Sequence, residues 1–107
     1  MFCYPENIDS ELTRLFADLK ALKFLRNLEP DDFAREAAHF LAELNAIHTF
    51  RDGNGRAQMS FLALVAAQAG HPLRFQRLTP RPFMDAMVTS FLGDERPLQD
   101  QLRELIR

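Results

Sequence analysis

The chain has 107 residues, 47% of them hydrophobic and 26% charged, enough for a single domain over residues 1–107 that buries one core. A formal net charge of −2 supplies no basic field for nucleic acid, and no run reaches the roughly 18 apolar residues that a membrane span needs. Cys3 is the sole cysteine, so no disulfide closes within the chain, and the opening MFCYPENI has neither the basic stretch nor the apolar core of a signal peptide. A cytoplasmic location is the expectation.

Helical periodicity runs almost throughout. Ile8, Leu12, Leu15, Phe16, Leu19 and Leu22 recur at three and four residues, which predicts a first helix with Asn7 or Asp9 able to cap it and Pro30 closing the following turn. Asp31 or Asp32 can cap a second helix, striped by Phe33, Ala37, Phe40, Leu41, Leu44 and Ile47 up to His48. From Asn54 to Ala69 the sequence is apolar on nearly all sides, the pattern of a central buried helix, and Gly70 supplies a left-handed stop. HPLRFQRL reads as a connector. Thr79 then caps a helix with proline in its first turn, running through Phe83, Met87 and Phe91 to Gly93. Pro97 opens a last amphipathic helix carrying Leu98, Leu102, Leu105 and Ile106. An all-α bundle is expected, without internal repeat, low-complexity segment or linker.

The residues that carry chemistry lie between the second and third helices, in HTFRDGNGRAQM at 48–59. A helix N-terminus presents unsatisfied N–H groups and the positive end of its dipole, so it holds anions. Gly53 and Gly55 let backbone amides approach phosphate oxygens, Asn54 can cap the helix or donate its amide, and Arg56 offers a planar fork to a phosphoryl group. Asp52 is a hard oxygen ligand suited to Mg²⁺, which completes its shell with phosphates and water. His48 can take a proton from an incoming hydroxyl while charge grows on phosphorus.

This stretch resembles the signature of the Fic (Fido) family, H-x-F-x-[DE]-G-N-G-R-x-x-R, with His48, Phe50, Asp52, Gly53, Asn54, Gly55 and Arg56 at the family's spacings. ELNAIHTF, the apolar helix ending at Gly70 and FCYPENI at the start are also similar to it. The resemblance implies a Fic-type helical bundle and a protein adenylyltransferase, in which a Ser, Thr or Tyr hydroxyl of a target protein attacks the α-phosphate of ATP. His48 would be the general base, Phe50 a core anchor, Asp52 the Mg²⁺ ligand, and Gly53, Asn54, Gly55 and Arg56 the phosphate loop. An inhibitory antitoxin-like partner and delivery into another cell as an effector are further implications.

The sequence departs from the signature twice. Thr49 stands where proline is usual, and Met59 stands at the second arginine, which the resemblance associates with the γ-phosphate. The Doc branch also carries an apolar residue there and phosphorylates proteins, but has Ala-Asn-Lys in place of Gly-Asn-Gly. Two alternatives follow: a Doc-like protein phosphotransferase, or a degenerate fold that binds nucleotide or a partner without catalysis. The resemblance also implies a β-hairpin flap before Phe2, Cys3 and Tyr4, so an N-terminally truncated core is expected, without the inhibitory [ST]-x-x-x-E-[GN] helix. His39 and His71 are read as structural or solvated, Arg51 as a solvated loop charge, Gln58 as a helix-surface polar group and Met59 as a packing residue.

Overall fold

The computed structural model describes residues 8–47 and 54–106, with side chains over 10–46 and 58–106. Its ordered elements are helical, and no strand occurs among the described residues. Helix α1 (Ile8–Ala21) turns Leu15 and Leu19 into the core, with Leu12 partly buried beside them. On its exposed side Arg14 reaches Glu11 at 2.9 Å and Asp18 at 3.2 Å. The bond to Glu11 raises the guanidinium pKa further, but exposed pairs of this kind add little stability.

After α1 the chain makes a left-handed turn that its sequence does not announce. Lys23, Phe24 and Leu25 all have positive φ, at 57°, 55° and 63°. Each such residue costs about 1–2 kcal/mol in an L-polypeptide. Burying Leu25 to 1% exposure offsets much of that, at about 1.5–3 kcal/mol for a fully buried leucine.

Helix α2 (Pro30–Ile47) begins at Pro30, which therefore opens a helix instead of closing the turn before it. The reason is that proline's missing N–H and fixed φ suit the first helical position. Asp31 and Asp32 occupy the first turn, where their charges complement the dipole. Phe33, Ala34, Ala37, Ala38, Leu41 and Leu44 form a buried stripe, and α2 packs against α1, α3, α4 and α5.

Helix α3 (Asn54–Gln68) buries Leu62, Val65 and Ala66, while Leu64 is 56% exposed. Its burial is thus confined to one face among the described residues, and α2 is the helix with neighbours on the most sides. Gly70 adopts φ 88° and ends α3 as expected, with its N–H on the Ala67 carbonyl and the His71 N–H on that of Ala66. The His71 ring lies 5.0 Å from that of Phe33, and its Nε2–H donates to the Leu28 carbonyl at 2.8 Å. His71 is structural, as its sequence context suggests.

The connector contains a single 3-10 turn at Phe75–Arg77, tied to the bundle where the Arg74 N–H donates to the Leu105 carbonyl at 2.7 Å. Helix α4 (Pro80–Phe91) follows Thr79 and buries Phe83, Ala86 and Met87. Gly93, at φ 114°, closes it with the same bonding pattern as Gly70. Helix α5 (Arg96–Ile106) buries Leu98, Leu102 and Leu105 against α2 and α4. Before it, Asp94 accepts the Arg96 N–H at 3.1 Å and its Nε–H at 3.0 Å. No described helix is long and apolar enough to cross a membrane.

Three outcomes test this packing. Leu102→Ala should lower unfolding free energy by about 3 kcal/mol in a denaturant titration, the cost of a cavity at a site 1% exposed. Gly70→Ala should cost about 1 kcal/mol through its positive φ alone, since a Cβ there meets nothing within 4 Å. Bonds from the Arg96 side chain and N–H hold the Asp94 carboxyl below its ordinary 3.8. Its contribution is therefore present above the ordinary value and fades as pH falls through the lower folded one. Asp94→Asn should flatten the acid limb of Tm against pH.

Candidate functional site

The candidate site lies where two helices meet in sequence: α2 ends at Ile47 and α3 begins at Asn54. The first turn of α3 comprises Asn54, Gly55 and Arg56, as the motif predicts, so the Gly-Asn-Gly-Arg run does lead into a helix. His48, Phe50, Asp52 and Gly53, with Thr49 and Arg51, lie outside the described residues, as do the side chains of Asn54 and Arg56.

The first turn of α3 carries no acidic residue, so nothing of its own neutralises the positive end of the dipole. This belongs to a wider asymmetry: between Asp52 and Asp85 the sequence has no acidic residue, and its charges are Arg56, Arg74, Arg77 and Arg81. An anion brought to this end of α3 meets N–H groups and no nearby carboxylate of the same helix.

Three aromatic rings set the two flanking helices against each other. Phe16 of α1 stands edge-on to Phe61 of α3, centroids 5.4 Å apart, and to Phe40 of α2 at 6.0 Å. Phe40 and Phe61 are 5.9 Å apart. Edge-to-face and tilted contacts at such spacing favour one relative orientation, and here they join the helix preceding the motif to the one following it. Met59, at the position of the motif's second arginine, is partly buried against the core, as expected of a packing residue. It brings no charge to the first turns of α3.

Two amide side chains flank the motif in the interior. Gln58 is 6% exposed, which corrects its reading as a surface group: it starts the stripe that continues through Leu62 and Val65 at i+4 and i+7. That spacing was the available signal, and the polarity of glutamine concealed it. Asn45, 8% exposed, sits in the last turn of α2 on the stripe of Ala34, Ala38 and Leu41. The amide oxygen of Asn45 has no hydrogen-bond partner among the described residues.

The remaining histidine is a surface tie. On α2, His39 places Nε2 3.3 Å from Glu43 and Nδ1 3.2 Å from Glu95, linking that helix to the segment before α5 while its side chain stays 56% exposed. Among the described residues no group of three or more His, Cys, Asp or Glu side chains is arranged to hold a metal ion.

Comparison with known proteins places this arrangement. The sequence profile of the Fic/DOC family matches residues 1–66. The chain is 49% identical over 106 residues to y4lH of Sinorhizobium fredii, described as a probable protein adenylyltransferase, covering 98% of this chain and 55% of that one. It is 30% identical to protein adenylyltransferase VbhT of Bartonella schoenbuchensis, covering 99% of this chain and 21% of that one. The chain thus spans about half the length of y4lH and a fifth of VbhT. Among solved structures, BepC of Bartonella tribocorum with bound AMPPNP superposes with a TM-score of 0.88 at 30% identity, covering 97% of this chain and 50% of that one. An N-terminal Fic domain from Bartonella quintana with bound ADP gives a TM-score of 0.90 at 28% identity, covering 97% and 49%. With its profile match extending over more than half the sequence and its helices superposing on Fic domains, the chain belongs to the Fic/DOC family.

Proposed function

We propose that this chain is the core of a protein adenylyltransferase that moves AMP from ATP to a Ser, Thr or Tyr hydroxyl of a target protein. The observation that carries this reading is the junction itself: an unbroken His-x-Phe-x-Asp-Gly-Asn-Gly-Arg motif running into a helix whose first turn has no acid. Relatives named as adenylyltransferases and neighbours holding AMPPNP or ADP support it.

In the proposed reaction the target hydroxyl oxygen forms a bond to the α-phosphorus, the bond from that phosphorus to the β-phosphate oxygen breaks, and pyrophosphate leaves. His48 takes the hydroxyl proton. It follows Ile47, the last residue of α2, directly in sequence, and the last turn of that helix carries no basic residue. Gly53 and Gly55 admit main-chain N–H groups to the phosphate oxygens, while Asn54 and Arg56 donate from their side chains. As the one carboxylate in the motif, Asp52 fits a hard divalent ion that shares its shell with phosphates and water. Mg²⁺ held by Asp52 would supply neutralisation of phosphate charge. The partners of this reading are ATP, the target protein and an inhibitory antitoxin-like protein; its compartment is a cytoplasm, either the producing cell's or that of a cell receiving it as an effector.

Met59 favours a second reading, in which an apolar residue at the second arginine leaves a Doc-like phosphotransferase or a nucleotide-binding module. Parallel reactions with ATP labelled at the α- or the γ-phosphate separate them. The proposal expects Mg²⁺-dependent transfer of the α label only and an added AMP in the intact mass of the target; γ transfer alone would establish phosphorylation, and ATP binding without either transfer the degenerate fold. His48→Ala should lower the transfer rate by about 10²–10⁴-fold, the usual worth of a general base. Asp52→Asn or chelation by EDTA should remove most of the activity while leaving the helical circular dichroism unchanged.

A further inference from the structure

We propose that the outer face of α4 is a two-fold interface through which two copies of this chain associate. The inference concerns a helix outside the 48–59 motif and does not depend on the adenylyltransferase reading.

The inner face of α4 is spent on the core, where Phe83, Ala86, Met87 and Ser90 are buried. On the opposite side Met84, Val88 and Leu92, the last of them the residue that caps the helix, are 44%, 52% and 79% exposed. Apolar residues exposed singly are ordinary, but these follow one another at a spacing of four and make one ridge along the helix. Rows at that spacing interdigitate in the commonest class of helix–helix packing, so the ridge has the shape that a second helix takes.

The charges along this face indicate which helix that is. Arg81 lies in the first turn of α4, which has no acidic residue and where the positive end of the dipole disfavours a cation. It makes no ion pair among the described residues, not even with Asp85 one turn on. At the other end of the helix Asp94 and Glu95 follow Gly93, with Arg96 as the one cation of that segment. A face that starts cationic, is apolar in the middle and ends acidic complements itself when a second copy runs antiparallel. About a two-fold axis at Val88, Met84 of each copy meets Leu92 of the other, and Arg81 comes level with Glu95, since each pair is equidistant from 88 in sequence. Arg81 is thereby turned from the amide end of its own helix towards the carbonyl end and carboxylates of the other. A foreign partner needs the reversed pattern by coincidence; a second copy carries it by symmetry.

Sedimentation equilibrium of the full chain, from micromolar to near-millimolar concentration, reads the association directly. The expected result is a reversible monomer–dimer equilibrium that Val88→Glu weakens at least about tenfold, because it sets two like charges on the axis. Leu64→Glu, at a site 56% exposed on α3, should leave it within twofold. Arg81→Glu should weaken association at low ionic strength, with a deficit that shrinks as salt is added. In a Cys3→Ser background, Val88→Cys should oxidise in air to a disulfide-linked dimer, since residues on a two-fold axis face their own copies, whereas Leu64→Cys should not. A chain that stays monomeric throughout the range overturns the proposal, as does a dimer that Val88→Glu leaves intact, which would use another face. If Val88→Glu alters the helical circular dichroism, the Val88→Cys cross-link decides alone.

Discussion

The inner face of α2 is the constraint on which the other elements depend. Its small residues Ala34, Ala37 and Ala38 allow close approach, and its larger ones, Phe33, Leu41 and Leu44, fill the space between α1, α4 and α5. Reacting groups work only when held within about half an ångström of their places, and packed helices supply that better than loops can. The packing of α2 against α1, α3, α4 and α5 holds the helix up to its end at Ile47. The Phe16, Phe40 and Phe61 rings then settle the angle at which α3 leaves.

Electrostatics and packing act together at this junction. The carbonyl end of one helix and the amide end of the next are separated in sequence by the six residues 48–53, so the motif spans two helix ends of opposite dipole sign. Acidic residues are absent from the 32 positions between Asp52 and Asp85, while ion pairs elsewhere, such as Arg103 with Asp31 at 2.9 Å, fasten α5 to α2 away from the motif. The positive end of α3 therefore has no carboxylate of its own helix to neutralise it.

Much of this was legible before any coordinates. The period of Leu98, Leu102 and Leu105, the left-handed glycines at 70 and 93 and the role of Met59 as packing are local properties, written in spacing and in side-chain chemistry. The motif residues were legible as a pattern, and the start of α3 at Asn54 agrees with it. Three features were not legible. Nothing in Lys23-Phe24-Leu25 encodes positive φ; that turn is imposed by the burial of Leu25. Pro30 stands equally well after a turn or before a helix, and tertiary contacts decide. Gln58 and Asn45 are polar types that usually face water, so their burial emerges only once the helices around them are packed.

The left-handed turn after α1 also has a kinetic meaning. Three adjoining residues in a mirror-image conformation gain nothing from one another, so the turn has little reason to form early in folding and is completed when Leu25 finds its slot. Until then α1 and α2 are two helices on a loose tether, and the ring of Phe16 has no fixed place against Phe40 and Phe61. The last contacts to be made in this half of the bundle would then be those that orient α3 against α1 and α2, and a chain caught before that step would be helical yet without a settled angle between its helices.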